Sequence, residues 1–247
     1  GDEDDTLRGE AGDDSLNGAR GENLLFGGAG ADTLSSTFTS TGLISGGAGS
    51  DVLRISSSFE NSTLAGDDVT LDGYGAYGND PTSADPGDID RLELSGANLT
   101  GTTIAGIEES VLTTASTNRV DASQASALTT LSFGGSNPPT TGRLTLTNAA
   151  NQVATFPIVT LAANERLTIG TSNATSAPFT LDASRGTFGV GAGLTFYGAS
   201  ASETITTGAG NDSLRGSNGD DILSGGAGMD TLSVGSGNNF LYGGTEN

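Results

Sequence analysis

Residues 12–35 read GDDSLNGARGENLLFGGAGADTLS, and the same three features recur in them every nine residues. A glycine-led polar turn comes first, an Asp or Asn stands at the sixth place, and a Leu stands at the eighth. In the units 9–17, 18–26 and 27–35 the sixth places are Asp14, Asn23 and Asp32, and the eighth are Leu16, Leu25 and Leu34. The pattern extends back through residues 1–8, with Asp5 and Leu7, and resumes at 46–54 with Asp51 and Leu53. It returns near the other end in unbroken register as GASASETIT (198–206), TGAGNDSLR (207–215), GSNGDDILS (216–224), GGAGMDTLS (225–233) and VGSGNNFLY (234–242). Their sixth places are Glu203, Asp212, Asp221, Asp230 and Asn239, and their eighth are Ile205, Leu214, Leu223, Leu232 and Leu241. A turn followed by a three-residue strand with one inward side chain repeats as a stack of coils, not as a globule.

Two such units make an 18-residue coil, so residues 18 apart lie one strand spacing, about 4.8 Å, from each other. Asp14 then meets Asp32, Asp5 meets Asn23, Glu203 meets Asp221, Asp212 meets Asp230 and Asp221 meets Asn239. Two carboxylates at that distance repel by about 3 to 4 kcal/mol at an effective dielectric of 20, which calls for a cation between them. Turn carbonyls add neutral oxygens, and an irregular, oxygen-only site suits calcium better than the tight octahedron of magnesium. The candidate ligands are the sixth-place side chains Asp5, Asp14, Asn23, Asp32, Asp51, Glu203, Asp212, Asp221, Asp230 and Asn239. With them go the turn glycines Gly12, Gly28, Gly30, Gly47, Gly49, Gly208, Gly210, Gly219, Gly226 and Gly228. Asn23 and Asn239 offer a neutral oxygen and predict weaker sites; Asp32 and Asp51 are 19 apart, which predicts a break in the metal ladder.

Composition agrees. The 247 residues include 40 Gly and carry a net charge of −21, with no Cys and no His. So acidic a chain repels nucleic acid and anionic membrane surfaces and favours cations. Disulfides, thiolate metal sites and His-dependent triads are excluded. No apolar run reaches the length of a membrane span. Scarce helix formers and abundant Gly, Ser and Thr predict short strands with almost no helix.

The organisation expected is one elongated domain in three stretches: an acidic block at 1–54, a metal-poor solenoid at 55–197 and a second acidic block at 198–247. Strands of period two are expected at 91–95, 129–133, 143–147, 166–170, 179–184 and 194–198. The stretch 72–90, with Tyr74, Tyr77, Asp80, Asp85, Asp88 and Asp90, reads as a protruding loop, either a solvated acidic turn or a sugar-stacking and cation-binding one. In the middle, apolar runs such as ATFPIVTLA (154–162) fill the interior in place of metal.

GGAGADTLS (27–35), GGAGSDVLR (46–54) and GGAGMDTLS (225–233) resemble, at every fixed position, the RTX nonapeptide G-G-x-G-x-D-x-U-x, where U is a large apolar residue. The resemblance covers 1–54 and 198–247. It implies an all-β, right-handed parallel β-roll or β-solenoid with calcium-binding turns at both ends, holding roughly five to eight calcium ions. It also implies a Gram-negative protein exported by type I secretion, unfolded in the low-calcium cytosol and folded outside the cell. The middle stretches 94–113 and 181–206 resemble the calcium-poor solenoid of bacterial S-layer proteins and large adhesins. The expected function is a calcium-binding structural segment of a secreted cell-surface protein that associates with itself or with other surface components. The alternative is the C-terminal secretion and folding domain of a hydrolase or toxin. Catalysis is not expected: Arg54, Arg91, Arg119, Arg143, Arg166 and Arg185 read mostly as solvated strand ends, and without His or Lys few bases remain near neutral pH.

Overall fold

The computed structural model describes residues 3–36, 42–56, 63–65, 91–99, 102–107, 109–113, 116–128, 130–134, 141–147, 153–156, 158–171 and 178–245. The expected loop at 72–90, with Tyr74, Tyr77, Asp80, Asp85, Asp88 and Asp90, lies outside these residues. The protein is all-β. Among the described residues every strand pairing is parallel, and a single 3-10 turn, Ala122–Ala127, is the helix found. The strands stack coil upon coil into a β-solenoid. The chain divides into two compact units, Gly1–Val111 and Leu112–Asn247.

In the first unit, Thr6–Ala11, Leu24–Ala29, Leu43–Ala48, Thr63–Ala65 and Thr103–Ala105 form one parallel sheet in that order. Ser15–Asn17, Thr33–Ser36, Val52–Ile55 and Arg91–Leu94 run in a second. Leu7 stands opposite Leu25, and Leu16 opposite Leu34, at the offset the nonapeptide dictates. The step from Leu34 to the facing Leu53 is longer, and the added length is absorbed without losing the register of the strands. Leu25, Leu34, Ile44, Leu53, Leu92 and Leu94 fill the interior. On the outer face Arg54 bonds Glu93 at 2.7 Å, Arg91 bonds Glu109 at 2.6 Å and the Arg8 guanidinium lies 4.8 Å over the Phe26 ring.

The second unit changes cross-section along its length. After a first coil of Thr117–Asp121, the 3-10 turn and Thr130–Phe133, its coils carry three strands each, Thr141–Thr147, Val153–Thr155 and Ile158–Leu161, then Arg166–Thr171, Phe179–Ala183 and Gly186–Phe188. Thr117 faces Arg143, Thr141 faces Arg166 and Arg166 faces Gly193, so these coils are longer than those of the nonapeptide and unequal among themselves. The third row ends at Gly186–Phe188; from there Gly193–Tyr197, Glu203–Thr207, Ser213–Ser217, Ile222–Ser224, Thr231–Val234 and Phe240–Tyr242 alternate between two sheets. Thr195 then faces Ser213, and Thr204 faces Ile222, which restores the nonapeptide offset. The wider coils hold larger side chains: Phe156 is buried, and the Phe179 and Phe196 rings stack with centroids 6.2 Å apart. Ala154, Val159 and Leu161 of the apolar run are buried too. The strands expected at 91–95, 129–133, 143–147, 166–170, 179–184 and 194–198 are all present within a residue or two.

Candidate metal centre

The nonapeptide turn has a fixed backbone rhythm. Its second and fourth residues take positive φ in unit after unit, and the predicted glycines Gly12, Gly28, Gly30, Gly47, Gly49, Gly210, Gly219, Gly226 and Gly228 lie between 92° and 132°. Gly208 instead accepts the Ala227 N–H through its carbonyl at 2.9 Å. Stacking is what demands glycine here as much as φ does: a Cβ on Gly28 would overlap the Glu10 carbonyl of the preceding coil, and one on Gly228 the Gly210 carbonyl. Both of these glycines thus lie directly against a backbone carbonyl of the coil before them.

The sixth-place side chain curls back into its own turn. Asp32 Oδ1 accepts the N–H of Asp14 at 2.8 Å, one coil earlier, and Asp51 Oδ1 accepts that of Asp32 at 2.8 Å. The same bond joins Glu203 N–H to Asp221 Oδ1 at 3.0 Å, Asp212 N–H to Asp230 Oδ1 at 2.9 Å and Leu194 N–H to Asp212 Oδ1 at 2.7 Å. Asp5 N–H and Asp221 N–H donate likewise to Asn23 Oδ1 and Asn239 Oδ1, each at 2.9 Å. The predicted sixth-place residues therefore belong to short ladders: 5 and 23; 14, 32 and 51; 203, 221 and 239; 212 and 230. The longer step from Asp32 to Asp51 leaves the side-chain hydrogen-bond ladder intact.

The second carboxylate oxygen is the telling atom. Oδ2 of Asp14, Asp32, Asp212, Asp221 and Asp230 and Oε2 of Glu203 are buried with no hydrogen-bond donor. Asp32, Asp51, Glu203, Asp212 and Asp221 are at most 2% exposed. Except in the Asp212 turn, which begins with Thr207, each such oxygen hangs over the first glycine of its own turn: a Cβ on Gly9 would stand 2.6 Å from Asp14 Oδ2 and one on Gly198 2.8 Å from Glu203 Oε2. Burial raises three of them, Asp32, Glu203 and Asp212. Glu203 is pushed up to about 7, by desolvation first and then by the facing Asp221, against the pull of the Ala199 N–H. Asp212 is pushed up to about 6 by desolvation, with the Leu194 N–H, Thr207 and Arg166 pulling back, and Asp32 is raised for the same leading reason.

A buried, donor-less carboxylate oxygen beside carbonyl oxygens is unstable as an anion unless a positive charge joins it. Among the described residues no three His, Cys, Asp or Glu side chains converge, so a cation would draw on one or two carboxylates and on turn carbonyls. That donor set, hard and all oxygen, fits calcium.

Sequence reading missed two parts of this machinery. One is a second ladder at the fifth place, running the opposite way: Asp4 Oδ1 accepts Glu22 N–H at 2.8 Å, Asp13 Oδ1 accepts Ala31 N–H at 2.9 Å and Asp220 Oδ1 accepts Asn238 N–H at 2.7 Å. Asp or Asn at fifth places one full coil upstream of another unit was the available signal. The other is a degenerate unit, GVGAGLTFY (189–197), whose Leu194 stands where an acid belongs and caps the row of Asp212 and Asp230.

A family model for the RTX calcium-binding nonapeptide repeat (4 copies) matches residues 1–34, 197–232 and 224–247. The unit at 46–54, outside those matches, carries the same turn and ladder. Searches of curated proteins and of solved structures gave no match.

Proposed function

From the RTX calcium-binding repeats that this chain carries at both ends, we propose that it is a structural, non-catalytic segment of a bacterial cell-surface protein, of the S-layer or adhesin type. It folds on meeting extracellular calcium and then associates with copies of itself or with other surface components. RTX repeats bind calcium and are typical of secreted Gram-negative proteins. The observation that carries the reading is the set of buried, donor-less carboxylate oxygens in the terminal turns; among the described residues the three-stranded coils hold none.

The mechanism follows from what each part can do alone. Bound calcium supplies the positive charge that lets carboxylates and turn carbonyls face one another. Backbone N–H groups orient the carboxylates of Asp32 and Asp221 by holding Oδ1, which leaves Oδ2 facing into the turn. The eighth-place Leu and Ile close the interior beneath the strands. In the chelated chain the same acids oppose folding, since burial disfavours their charge. A Gly-rich chain also loses much backbone entropy on ordering. Each ion bound only by the folded form returns RT ln(1 + [Ca]/Kd), about 2.7 kcal/mol at 100 times Kd.

Light scattering and negative-stain microscopy of the calcium-saturated chain test the surface-assembly reading. Growth of ordered assemblies with calcium, reversed by chelation, is expected. A calcium-folded chain that stays monomeric at all concentrations would favour an export and folding domain instead.

A further inference from the structure

We propose that the Asn23 side-chain amide does in its own turn what the cation does in the acidic turns, so that the turn at 18–23 closes without metal. The inference rests on the calcium reading of the acidic turns. Asn23 occupies the sixth place, is 2% exposed and uses Oδ1 as the acids do, accepting the Asp5 N–H at 2.9 Å. Its other arm, where Asp32 has a donor-less oxygen, carries the amide nitrogen. Nδ2 donates to the Gly18 carbonyl at 2.8 Å and points at the Arg20 and Gly21 carbonyls at 3.3 and 3.4 Å.

The network fixes which atom is nitrogen. Reversed, the amide would set a donor against the Asp5 N–H and an acceptor against three carbonyls. The turn itself is the ordinary one, with Ala19 at φ 56° and Gly21 at 115° in its second and fourth places. Backbone shape therefore does not separate this turn from its neighbours; the sign of the side-chain terminus does. Three carbonyl oxygens that need positive charge receive two N–H dipoles, and an Asn cannot offer them an oxygen and keep its Asp5 bond at once. Asn239 repeats the arrangement nearer the surface, with Nδ2 3.3 and 3.4 Å from the Gly235 and Gly237 carbonyls. In the first unit, calcium dependence thus falls on the row of Asp14, Asp32 and Asp51, and the turn at 18–23 is preformed.

Calcium bound per chain, by equilibrium dialysis with atomic absorption, and thermal melting of the calcium-stripped chain test this on the wild type and three variants. Asn23→Ala should keep the wild-type calcium count and lower the melting temperature of the stripped chain. Asn23→Asp should add one ion, and Asp32→Asn should remove one while raising the melting temperature of the stripped chain. Loss of an ion in Asn23→Ala would make Asn23 a ligand and overturn the proposal, as would an unchanged count in Asn23→Asp. Should Asn23→Asp fail to fold even with calcium, Asn23→Ala and Asp32→Asn still decide it. A wild-type chain that binds no calcium would instead remove the functional reading on which the proposal stands.

Discussion

At the scale of the residue, the nonapeptide is a device for placing one carboxylate oxygen in a turn that has no hydrogen to give it. Gly27 and Gly12 separate the two reasons for its glycines. A Cβ on Gly27 would overlap both Asp32 Oδ2 and the Gly46 carbonyl of the next coil, whereas one on Gly12, at φ 112°, would meet nothing within 4 Å. Gly27→Ala should therefore displace the carboxylate and cost roughly 2 kcal/mol of calcium binding, about thirtyfold in affinity. Gly12→Ala should cost about 1–3 kcal/mol of backbone strain in stability and leave the Asp14 and Asp32 carboxylates in place. Calorimetric calcium titration beside thermal melts of both variants checks the contrast. The raised acids give a pH signature whose sign can be worked out. Glu203 at about 7 and Asp212 at about 6 hold their protons more tightly in the folded, metal-free chain than in the unfolded one, where carboxylates titrate near 4. The stability they contribute is present below about pH 4 and is lost as pH rises to about 7. Calcium binds the ionised form, so the loaded chain should gain stability across the same window. Melting of calcium-stripped and calcium-saturated chain at pH 5 and pH 7.5 should move in opposite directions.

At the scale of the element, the strands are short and depend on their neighbours in the stack. Burial of the eighth-place side chain measures that dependence. Leu223 is 0% exposed and Leu241 43%. Leu223→Ala should cost about 2–5 kcal/mol and Leu241→Ala less than about 1, read from denaturant midpoints at saturating calcium. The expectation that the whole row is core holds for Leu25, Leu34, Leu53, Ile205, Leu214 and Leu223, while Leu7, Leu16 and Leu232 are half-buried and Leu241 is exposed. Outer-face pairs matter less: Arg54→Ala, which breaks the exposed bond to Glu93, should shift stability by under about 1 kcal/mol. The terminal coils were legible because one period of nine sets turn, strand and offset together, and a register read from Asp14 and Asp32 carries over to Leu16 and Leu34. The three-stranded coils were legible only as separate strands. RLTLT and RLTIG alternate clearly, but Thr141 faces Arg166 while Arg166 faces Gly193, across turns of unequal length, so no repeat announces the third row. Leu194 hid a unit because pattern reading keyed on the acid; its turn has lost the acid and places its positive φ at Gly191, the third place, while the Leu194 N–H still joins the Asp212 row.

At the scale of the whole molecule, few of the negative charges are neutralised from within: nine Arg stand against 30 acids, and no Lys or His is present to assist. No described helix is long and apolar enough to cross a membrane. Metal is then the principal source of positive charge for the buried acids, and folding should follow the calcium of the compartment, with both acidic blocks responding. The apolar coils between 141 and 188, whose interior is filled by side chains such as Leu146, Phe156 and Ile169, should depend on calcium least. Hydrogen exchange of the calcium-stripped chain should accordingly retain more protection at 141–171 than at 203–242. The most direct measurement is far-UV circular dichroism of the chain, stripped of calcium and then titrated with it, with magnesium titrated in parallel. A cooperative gain of β-signal with calcium and none with magnesium at the same concentrations is the predicted result. A spectrum already fully β in chelator and unchanged by calcium would contradict the claim that the buried carboxylate oxygens of the turns hold metal.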